Sequence, residues 1–379
     1  MKGDARILVI NSPREAEEHM IEIGAEEGKV NWLANQADFL TIKFDDVSVT
    51  DAIIIKNDTL EMGGHAAYNK GVYDRSVQRS DVIIAGSRSA LERLTKRLRL
   101  RTRNTAEIAD ALDFLLKVGS LRKPSLMCRD KRIPIGNRTI IMGVLEMLPG
   151  EDEAVILGRA EKLIGEGADI LDITCSPSMP RKDSVICSRN IIKKMRKTSR
   201  IPICTDVSYS EDARHMLDAG ADIINDIWAL RMDSELASVV ASYKAGIVLM
   251  HNSENRIKRD VMGTVYSTLR KSLTQCQEAG VGINSIIIDP GFGFGKTNDQ
   301  TLGVIRKLRE LKSLGVPLMV GPSGKMIYPT GTEENAEEKL ETVASIAAVS
   351  IINGADILRV HDVGHMKSVV EISDAIVNK

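Results

Sequence analysis

Aromatic residues and net charge are both scarce in this chain of 379 residues: aromatics make up 3% of it, and the formal net charge is −1 at pH 7. Proteins that bind nucleic acid usually show a basic face or a recognition motif, with aromatic residues that stack on bases. The densest basic stretch, residues 93–103, has six Lys or Arg in eleven positions. On a helix followed by a loop, such a run is most often a solvated face. We therefore expect no nucleic-acid partner.

Long apolar runs and paired cysteines are also lacking. No run approaches the ~20 apolar residues of a membrane span, and the chain does not begin with a basic-then-apolar signal. The five cysteines show no Cys-x-x-Cys spacing, which disfavours a disulfide scaffold or a structural zinc site. We expect a cytoplasmic protein with no membrane partner.

A short sequence cadence is present instead. Gly-Ala-Asp-Ile occurs three times, at residues 167–170, 220–223 and 354–357, each time after an amphipathic stretch and before an apolar run. Glycine at a helix end supplies a left-handed cap, and the apolar run suits a strand that is buried on both faces. The repeats therefore predict joints between a helix and a parallel strand.

Eight apolar runs of this kind predict eight strands, most of them separated by segments long enough for a helix. The runs are Ile140–Leu145, Asp169–Ile173, Ile201–Asp206, Ile223–Ile227, Gly246–Met250, Ser285–Asp289, Pro317–Gly321 and Asp356–Val360. Together the eight units span roughly 240 residues, close to the ~250 of a (β/α)8 barrel. A doubly wound open sheet is the alternative, but eight evenly spaced units in one chain favour closure. The predicted fold class is α/β, a (β/α)8 TIM barrel preceded by a smaller α/β domain.

The predicted barrel occupies residues 138–379 and leaves two further segments. Residues 122–137 are expected to be a linker and a lead-in to the mouth or floor of the barrel. Residues 1–121 read as a small α/β domain of unknown role. Its apolar runs and helix-like segments are Ile7–Ile10, Phe39–Ile42, Asp81–Ala85, Arg14–Ile23, Ser87–Leu98 and Thr105–Val118.

Barrel geometry turns the strand ends into candidate site residues, because catalytic groups sit on the loops at the carboxyl ends of the strands. Polar residues follow all eight predicted strands: Glu146; Asp172, Ser176 and Ser178; Asp206; Asn225 and Asp226; His251; Asp289; Ser323 and Lys325; Arg359 and His361. Any one of them could cap the next helix, since Asp and Asn often do so after a strand. Polar side chains at all eight ends indicate a ligand site.

Four of these strand ends carry motifs that resemble the dihydropteroate synthase family. They are Asp289-Pro-Gly-Phe-Gly-Phe-Gly-Lys296, Val320-Gly-Pro-Ser-Gly-Lys325, Arg359-Val-His-Asp362 and Asn225-Asp-Ile227. The resemblance covers about residues 138–379, and the first and third motifs together are quite specific within pterin-binding barrels. It implies an enzyme, a transferase that joins the methylene of a 7,8-dihydropterin diphosphate to an aryl amine and releases pyrophosphate.

The resemblance also implies roles for individual residues. Asp206, Asn225, Asp289 and Lys325 match the residues that hold the pterin. The pterin presents an edge of adjacent donors and acceptors, which carboxylate, amide and ammonium groups can meet. On the aryl-amine side, the matching residues are Phe294, Ser323 and Ser178.

Arg359 and His361 match the pair that binds the diphosphate. The two residues alternate along the last predicted strand, so both should point to the same side of it. A leaving pyrophosphate gathers negative charge as the C–O bond breaks, and fixed cations stabilise that charge. The alternative role for the pair is an ion pair with Asp362 at the rim.

Three loops depart from the family pattern. Glu146 stands where the family has the Asn that helps to hold Mg²⁺, and a carboxylate oxygen can still bind that hard cation, so Mg²⁺ stays the expected cofactor. Met179 stands where the family has Arg, and the Ser-Arg-Lys of the seventh loop has become Ser323-Gly-Lys325. Either Arg181 or Lys182 could replace one of the two missing cations.

The aryl-amine acceptor stays open between p-aminobenzoate and a ribosylated aminobenzene phosphate, that is, between folate and methanopterin biosynthesis. Two other functions also stay open: a pterin-binding protein without condensation activity, and a pterin-dependent methyltransferase. Residues 53–68 resemble the amino-terminal extension of some archaeal and clostridial members. Because barrels of this family commonly pair, we expect a homodimer.

Overall fold

The structure, a computed structural model, describes residues 8, 10, 13–118, 125–254, 257, 260–322 and 336–377. The chain divides into two compact units, residues 1–121 and 122–379. No helix among the described residues has the length and apolar content needed to cross a membrane. All five cysteines are free thiols, as the absence of a pairing pattern predicted.

The amino-terminal unit is a three-stranded antiparallel sheet with helices. The helices are α1 (Pro13–Glu22), α2 (Val30–Ala37), α3 (Val49–Glu61), α4 (Arg88–Leu98) and α5 (Arg103–Val118). The strands are β1 (Phe39–Ser48), β2 (His65–Tyr68) and β3 (Arg79–Ser87), in the spatial order β1-β3-β2. The predicted α/β character of this unit is confirmed; of the predicted run at 7–10, only Leu8 and Ile10 fall within the described residues.

One face of this sheet packs on the helices. The even-numbered residues of β3, such as Val82 and Ile84, are fully buried against Ile55 of α3 and Leu91 and Leu94 of α4. The odd-numbered residues of β3 are mostly exposed. This alternation is the ordinary pattern of an antiparallel sheet with a core on one side only.

The second unit begins with a hairpin and continues as a closed barrel. The hairpin strands are β4 (Ser125–Cys128) and β5 (Lys131–Pro134). The barrel strands are β6 (Ile140–Met147), β7 (Ile170–Cys175), β8 (Ile203–Asp206), β9 (Ile223–Asp226), β10 (Gly246–Met250), β11 (Ile286–Asp289), β12 (Met319–Val320) and β13 (Ile357–Val360). The helices around it are α6 (Glu153–Glu166), α7 (Arg181–Thr198), α8 (Ser210–Ala219), α9 (Leu236–Ser242), α10 (Val261–Glu278), α11 (Asn298–Arg306), α12 (Ala336–Ile352) and α13 (Val363–Val377).

All eight barrel strands are parallel, in the order β11-β10-β9-β8-β7-β6-β13-β12. A parallel bridge between Ile288 and Leu318 joins the two ends of this order. The predicted (β/α)8 barrel is therefore confirmed over the open sheet. Each of the eight predicted strands is present, although the seventh is only two residues long.

The predicted helix-to-strand joints are also confirmed. Gly167, Gly220 and Gly354 end their helices with φ of 111°, 113° and 100°, in the left-handed region that glycine alone adopts without strain. In each repeat the following Asp accepts a backbone N–H from a neighbouring strand: Asp169 from Ile141 at 2.9 Å, Asp222 from Ile203 at 2.8 Å and Asp356 from Leu318 at 2.9 Å. The repeat thus ties adjacent strands together at their amino ends.

The amino ends of the barrel strands, together with the hairpin, form what we call the floor. Apolar residues from all eight strands make one buried cluster with four residues of the hairpin segment, Leu126, Cys128, Ile133 and Ile135. The cluster occupies the inside of the barrel, while the alternate strand residues pack against the surrounding helices. The lead-in segment therefore closes the floor, which decides between the two placements that the sequence left open.

Candidate active site

The carboxyl ends of the barrel strands, which we call the mouth, collect polar side chains above that apolar cluster. Side chains alternate along a strand, so residues two positions apart share a side. Five polar residues lie two positions beyond an interior apolar residue of their own strand: Asp172, Asp206, Asn225, Asp289 and Arg359. The alternation of side chains along the strands therefore places three of the four predicted pterin-binding residues, Asp206, Asn225 and Asp289, in the barrel interior.

Asp206 and Asn225 contact each other directly. The amide nitrogen of Asn225 donates to Oδ1 of Asp206 at 2.7 Å, and the hydroxyl of Thr174 donates to Oδ2 at 2.8 Å. Burial and the neighbouring carboxylate of Asp172 raise the pKa of Asp206. The groups around Asp206 therefore do not fully offset the cost of burying its charge.

The amide oxygen of Asn225 is buried and has no hydrogen-bond partner in the described part of the chain. The residue is only 3% exposed. An unpaired buried acceptor costs about 1–3 kcal/mol, so such an atom is a natural place for a ligand N–H group. This acceptor lies beside the carboxylate of Asp206.

Asp289 is 4% exposed at the end of β11. Its Oδ1 accepts the backbone N–H of Gly291 at 2.7 Å. Burial raises the pKa of Asp289 to about 6, and the Gly291 N–H and the charges of Arg359 and Lys296 oppose that shift. At neutral pH the carboxylate of Asp289 is therefore mostly ionised, because its pKa lies only a little below the pH of the solution.

Arg359 reaches across the barrel to two of these acids. Its Nε and Nη2 both lie 2.7 Å from Oδ2 of Asp172, and its Nη2 lies 3.7 Å from Oδ2 of Asp206. Burial alone would lower the pKa of Arg359, but the two carboxylates hold it above its ordinary value. Arg359 does not form the alternative rim ion pair with Asp362, whose Oδ2 lies 2.7 Å from His365 Nδ1 instead.

Asp172 is fully buried, and its Oδ1 has no hydrogen-bond partner among the described residues. The strand-end pattern named it as a candidate, but no role was predicted for it. Its partner lies 187 positions away in the sequence. Only the closed barrel brings the two together.

The glycine-rich loop after Asp289 packs against the segment that follows β10. Gly291, Gly293 and Gly295 all have positive φ, between 64° and 77°. A Cβ at Gly291 would lie 2.0 Å from the carbonyl oxygen of His251. Glycine is therefore required there by close approach as well as by conformation.

A buried lysine closes this loop from within. Nζ of Lys296 lies 2.9 Å from Nδ1 of His251, and it donates to the carbonyl oxygens of Gly291 at 2.8 Å and Phe294 at 3.1 Å. Burial lowers the pKa of Lys296 to about 8, while burial and the Lys296 charge lower the pKa of His251 to about 4. His251 is thus a neutral acceptor. The sequence placed Lys296 in a motif without giving it a role.

The remaining predicted residues differ in their surroundings. Phe294 is 40% exposed on the loop, and Ser178 is exposed, with its hydroxyl 2.9 Å from that of Ser176. His361 is exposed just beyond β13. Ser323 and Lys325 lie outside the described residues, so their roles stay predictions.

Glu146 is half-buried near the end of β6. Its carbonyl oxygen accepts from Arg159 at 2.9 Å, and its carboxylate makes no hydrogen bond to a described residue. No group of three or more His, Cys, Asp or Glu suited to a metal ion occurs in the described ranges. Within the described ranges, Glu146 thus offers one carboxylate that makes no described hydrogen bond, without a complete set of metal ligands around it.

Arg181 contacts the next helical unit, and its role as a replacement for a missing family cation stays a prediction. Its Nε lies 2.7 Å from Oδ2 of Asp212, and its guanidinium stacks on the ring of Tyr209 at 3.9 Å. Both partners belong to the next helical unit, which the sequence could not place beside Arg181. The prediction for Lys182 stays open.

Comparison with known proteins settles the family. A family model described as pterin binding enzyme matches residues 146–361. The chain belongs to this family. The predicted resemblance to dihydropteroate synthases and the predicted transferase class are confirmed, because the relatives of this chain are dihydropteroate synthases.

Two of these relatives align with this chain over almost their whole length. The dihydropteroate synthase of Synechocystis sp. is 34% identical over 287 residues, which cover 70% of this chain and 99% of the relative. That of Clostridium beijerinckii is 32% identical over 264 residues, covering 66% and 98%.

Solved structures agree with the fold. A dihydropteroate synthase of Coxiella burnetii in complex with pteroic acid is 29% identical, with a TM-score of 0.61 over 66% of this chain and 98% of that chain. The enzyme of Thermus thermophilus in complex with 6HMPPP is also 29% identical, with a TM-score of 0.60, over 66% and 99%. The non-catalytic and methyltransferase alternatives are not favoured by any of these relatives.

Proposed function

We propose that this enzyme condenses a 7,8-dihydropterin-6-methyl diphosphate with an aryl amine and releases pyrophosphate. The observation that carries the proposal is the group of Asp206, Asn225 and Asp289 inside the mouth, with a buried amide oxygen that has no described partner. These groups offer acceptors to a planar heterocycle whose edge carries several N–H donors. Two dihydropteroate synthases among the related structures were solved with pteroic acid.

In this proposal the acids bind the pterin in their ionised form. Asp206 and Asp289 are carboxylates of raised pKa, so each is stabilised by gaining an N–H donor from the ring. Charge-assisted hydrogen bonds of this kind are stronger than neutral ones. Asn225 supplies one further acceptor between them, and Lys325 is proposed as the fourth ligand of the ring.

Arg359 and His361 are proposed to hold the diphosphate. Arg359 already lies between Asp172 and Asp206 with its side chain 22% exposed. The buried carboxylate of Asp172 holds the guanidinium through Nε and Nη2, and the remaining guanidinium N–H groups are proposed to contact the anion. As the C–O bond breaks, this fixed positive charge stabilises the departing pyrophosphate.

The acceptor side is proposed to lie at Phe294, Ser178 and Ser323. The ring of Phe294 is partly exposed on a loop whose backbone is held at both ends. We propose p-aminobenzoate or a ribosylated aminobenzene phosphate as the acceptor, in folate or methanopterin biosynthesis. The protein is further proposed to act as a cytoplasmic homodimer.

Glu146 is proposed to contact a Mg²⁺ ion that arrives with the diphosphate. A single carboxylate suits a hard cation that takes its other ligands from water and phosphate. When bound, the ion would offset negative charge on the diphosphate. Glu146 would orient it from the end of β6.

The test is pyrophosphate release from the dihydropterin diphosphate with both aryl amines. The wild-type protein should turn over one of them, and Asn225→Ala should lose pterin affinity by about 1–3 kcal/mol because ring N–H groups are left unpaired. Asn284→Ala, an exposed Asn that precedes β11 at the floor, is the matched control and should behave as wild type. Pterin binding without turnover in the wild type would contradict the proposed reaction.

A further inference from the structure

Lys296 is buried, and its ammonium group makes three close polar contacts. It is 8% exposed, and its three close partners are the Gly291 carbonyl, the Phe294 carbonyl and Nδ1 of His251. The carbonyl of Gly291 also accepts the backbone N–H of Phe294 at 3.2 Å. The ammonium therefore closes a turn that runs from Gly291 to Phe294.

The two ends of this turn lead to the two substrates. Gly291 donates its N–H to Asp289, which faces the pterin pocket. Phe294 carries the ring on the acceptor side. A change in the turn would therefore move the acceptor contact directly and the pterin contact through one hydrogen bond.

The position of the turn is not set by glycine packing alone. Cβ atoms at Gly291 and Gly295 would lie 2.0 Å and 2.3 Å from the carbonyl oxygens of His251 and Ser253. The loop thus lies flat against the segment after β10, but three glycines with positive φ leave its backbone free to adopt other shapes. The hydrogen bonds of Lys296 remove that freedom.

Charge adds a second contribution. The Gly291 N–H hydrogen bond and the charges of Arg359 and Lys296 act to lower the pKa of Asp289, and His251 beside Lys296 is neutral. The ammonium of Lys296 favours the ionised form of Asp289. That is the form that can accept ring N–H donors.

We propose that Lys296 is a positioning residue of the transfer reaction, which holds the Gly291–Phe294 turn in place for the aryl amine. This inference rests on the proposed function. It predicts that the two substrates respond differently when the ammonium is removed.

The test compares Lys296→Met with Lys271→Met, an exposed lysine of α10. In Lys296→Met the KM for the aryl amine should rise about ten-fold or more, since charge-assisted hydrogen bonds are lost, while kcat changes less. The pH at which pterin diphosphate binding is half lost should move upward. Lys271→Met should leave both measurements unchanged.

A second variant separates shape from charge and guards against misfolding. Lys296→Gln keeps an N–H donor for the loop carbonyls but has no charge, so it should show the full pH shift with a smaller rise in KM. Wild-type values for both variants, in protein that melts as one cooperative unit, would overturn the inference while leaving the proposed function intact. Absence of pterin binding or turnover in the wild type would instead overturn the proposed function, and the inference with it.

Discussion

The floor and the mouth of the barrel both carry buried acids. Asp222 at the floor and Asp289 at the mouth differ in how far neighbouring groups offset their charge. At the floor, Asp222 is 2% exposed, accepts the backbone N–H of Ile203 and pairs with both Arg196 and Lys131. At the mouth, Asp289 accepts one described N–H and has a raised pKa. The cations around Asp222 therefore suit it to a role in the fold, whereas Asp289, with one described hydrogen bond, can still accept donors from a ligand.

The same contrast explains why the repeated motif is not the site. Asp169 and Asp356 repeat the floor arrangement, with Arg138 and Lys312 as their cations. The recurring Gly-Ala-Asp-Ile sequence is therefore a structural device for joining neighbouring strands. The proposed chemistry lies at the other end of the same strands, where the residues do not repeat.

The largest expected effect is on stability, at the floor. Asp222→Ala leaves Arg196 and Lys131 without their shared carboxylate and should cost about 3–5 kcal/mol of unfolding free energy, as buried ion pairs do when one partner is removed. Denaturant unfolding measures this. Asp130→Ala, in the exposed turn of the floor hairpin, is the control and should cost little. An Asp222→Ala variant as stable as the wild type would show that this acid does not stabilise the floor.

Removing a charge at the mouth should have the opposite outcome. Asp289→Asn keeps an acceptor for the Gly291 N–H but loses the carboxylate, so pterin affinity should fall by about 1.5–3 kcal/mol. Because folding raises the pKa of Asp289 from 3.8 to about 6, this group lowers stability progressively as the pH rises from 3.8 to about 6, and the full penalty remains above that range. The variant should therefore be more stable than wild type at pH 7, by up to about 3 kcal/mol. Lower stability together with unchanged pterin affinity would refute the assignment.

The pH dependence of binding follows from the same carboxylate. Asp289 accepts ring N–H donors when ionised, so pterin affinity should be full at pH 7–8 and fall as the pH drops through about 6. Isothermal titration across this range measures it. In Asp289→Asn the fall near pH 6 should disappear, and its persistence would assign the titration to another group.

Among the substitutions, the smallest effect is expected for Glu146→Gln. If this carboxylate contacts Mg²⁺, removing the metal should abolish diphosphate binding in the wild type, because two negative groups would otherwise lie together. Glu146→Gln lacks that charge and should keep part of its binding without metal. Tight metal-independent binding by the wild type would show that Glu146 does not face the diphosphate.

Much of the barrel could be predicted because parallel strands buried on both faces read as apolar runs. The strand Gly246–Met250 has its predicted bounds, whereas the predicted Pro317–Gly321 shortens to Met319–Val320. The ends of strands depend on which neighbour supplies the next hydrogen bond. A single run of sequence does not contain that information.

The sequence by itself determined the barrel, the strand that bears each polar residue and, through the period of two, the convergence of Asp206, Asn225 and Asp289. Only the tertiary structure decided which polar side chains contact each other. Arg359 contacts Asp172, Lys296 contacts His251 and Arg181 contacts Asp212, at sequence separations of 187, 45 and 31 residues. Periodicity along a strand is local and follows from backbone geometry. Ion pairs and buried hydrogen bonds depend on distances between separate strands, which exist only once the barrel has closed.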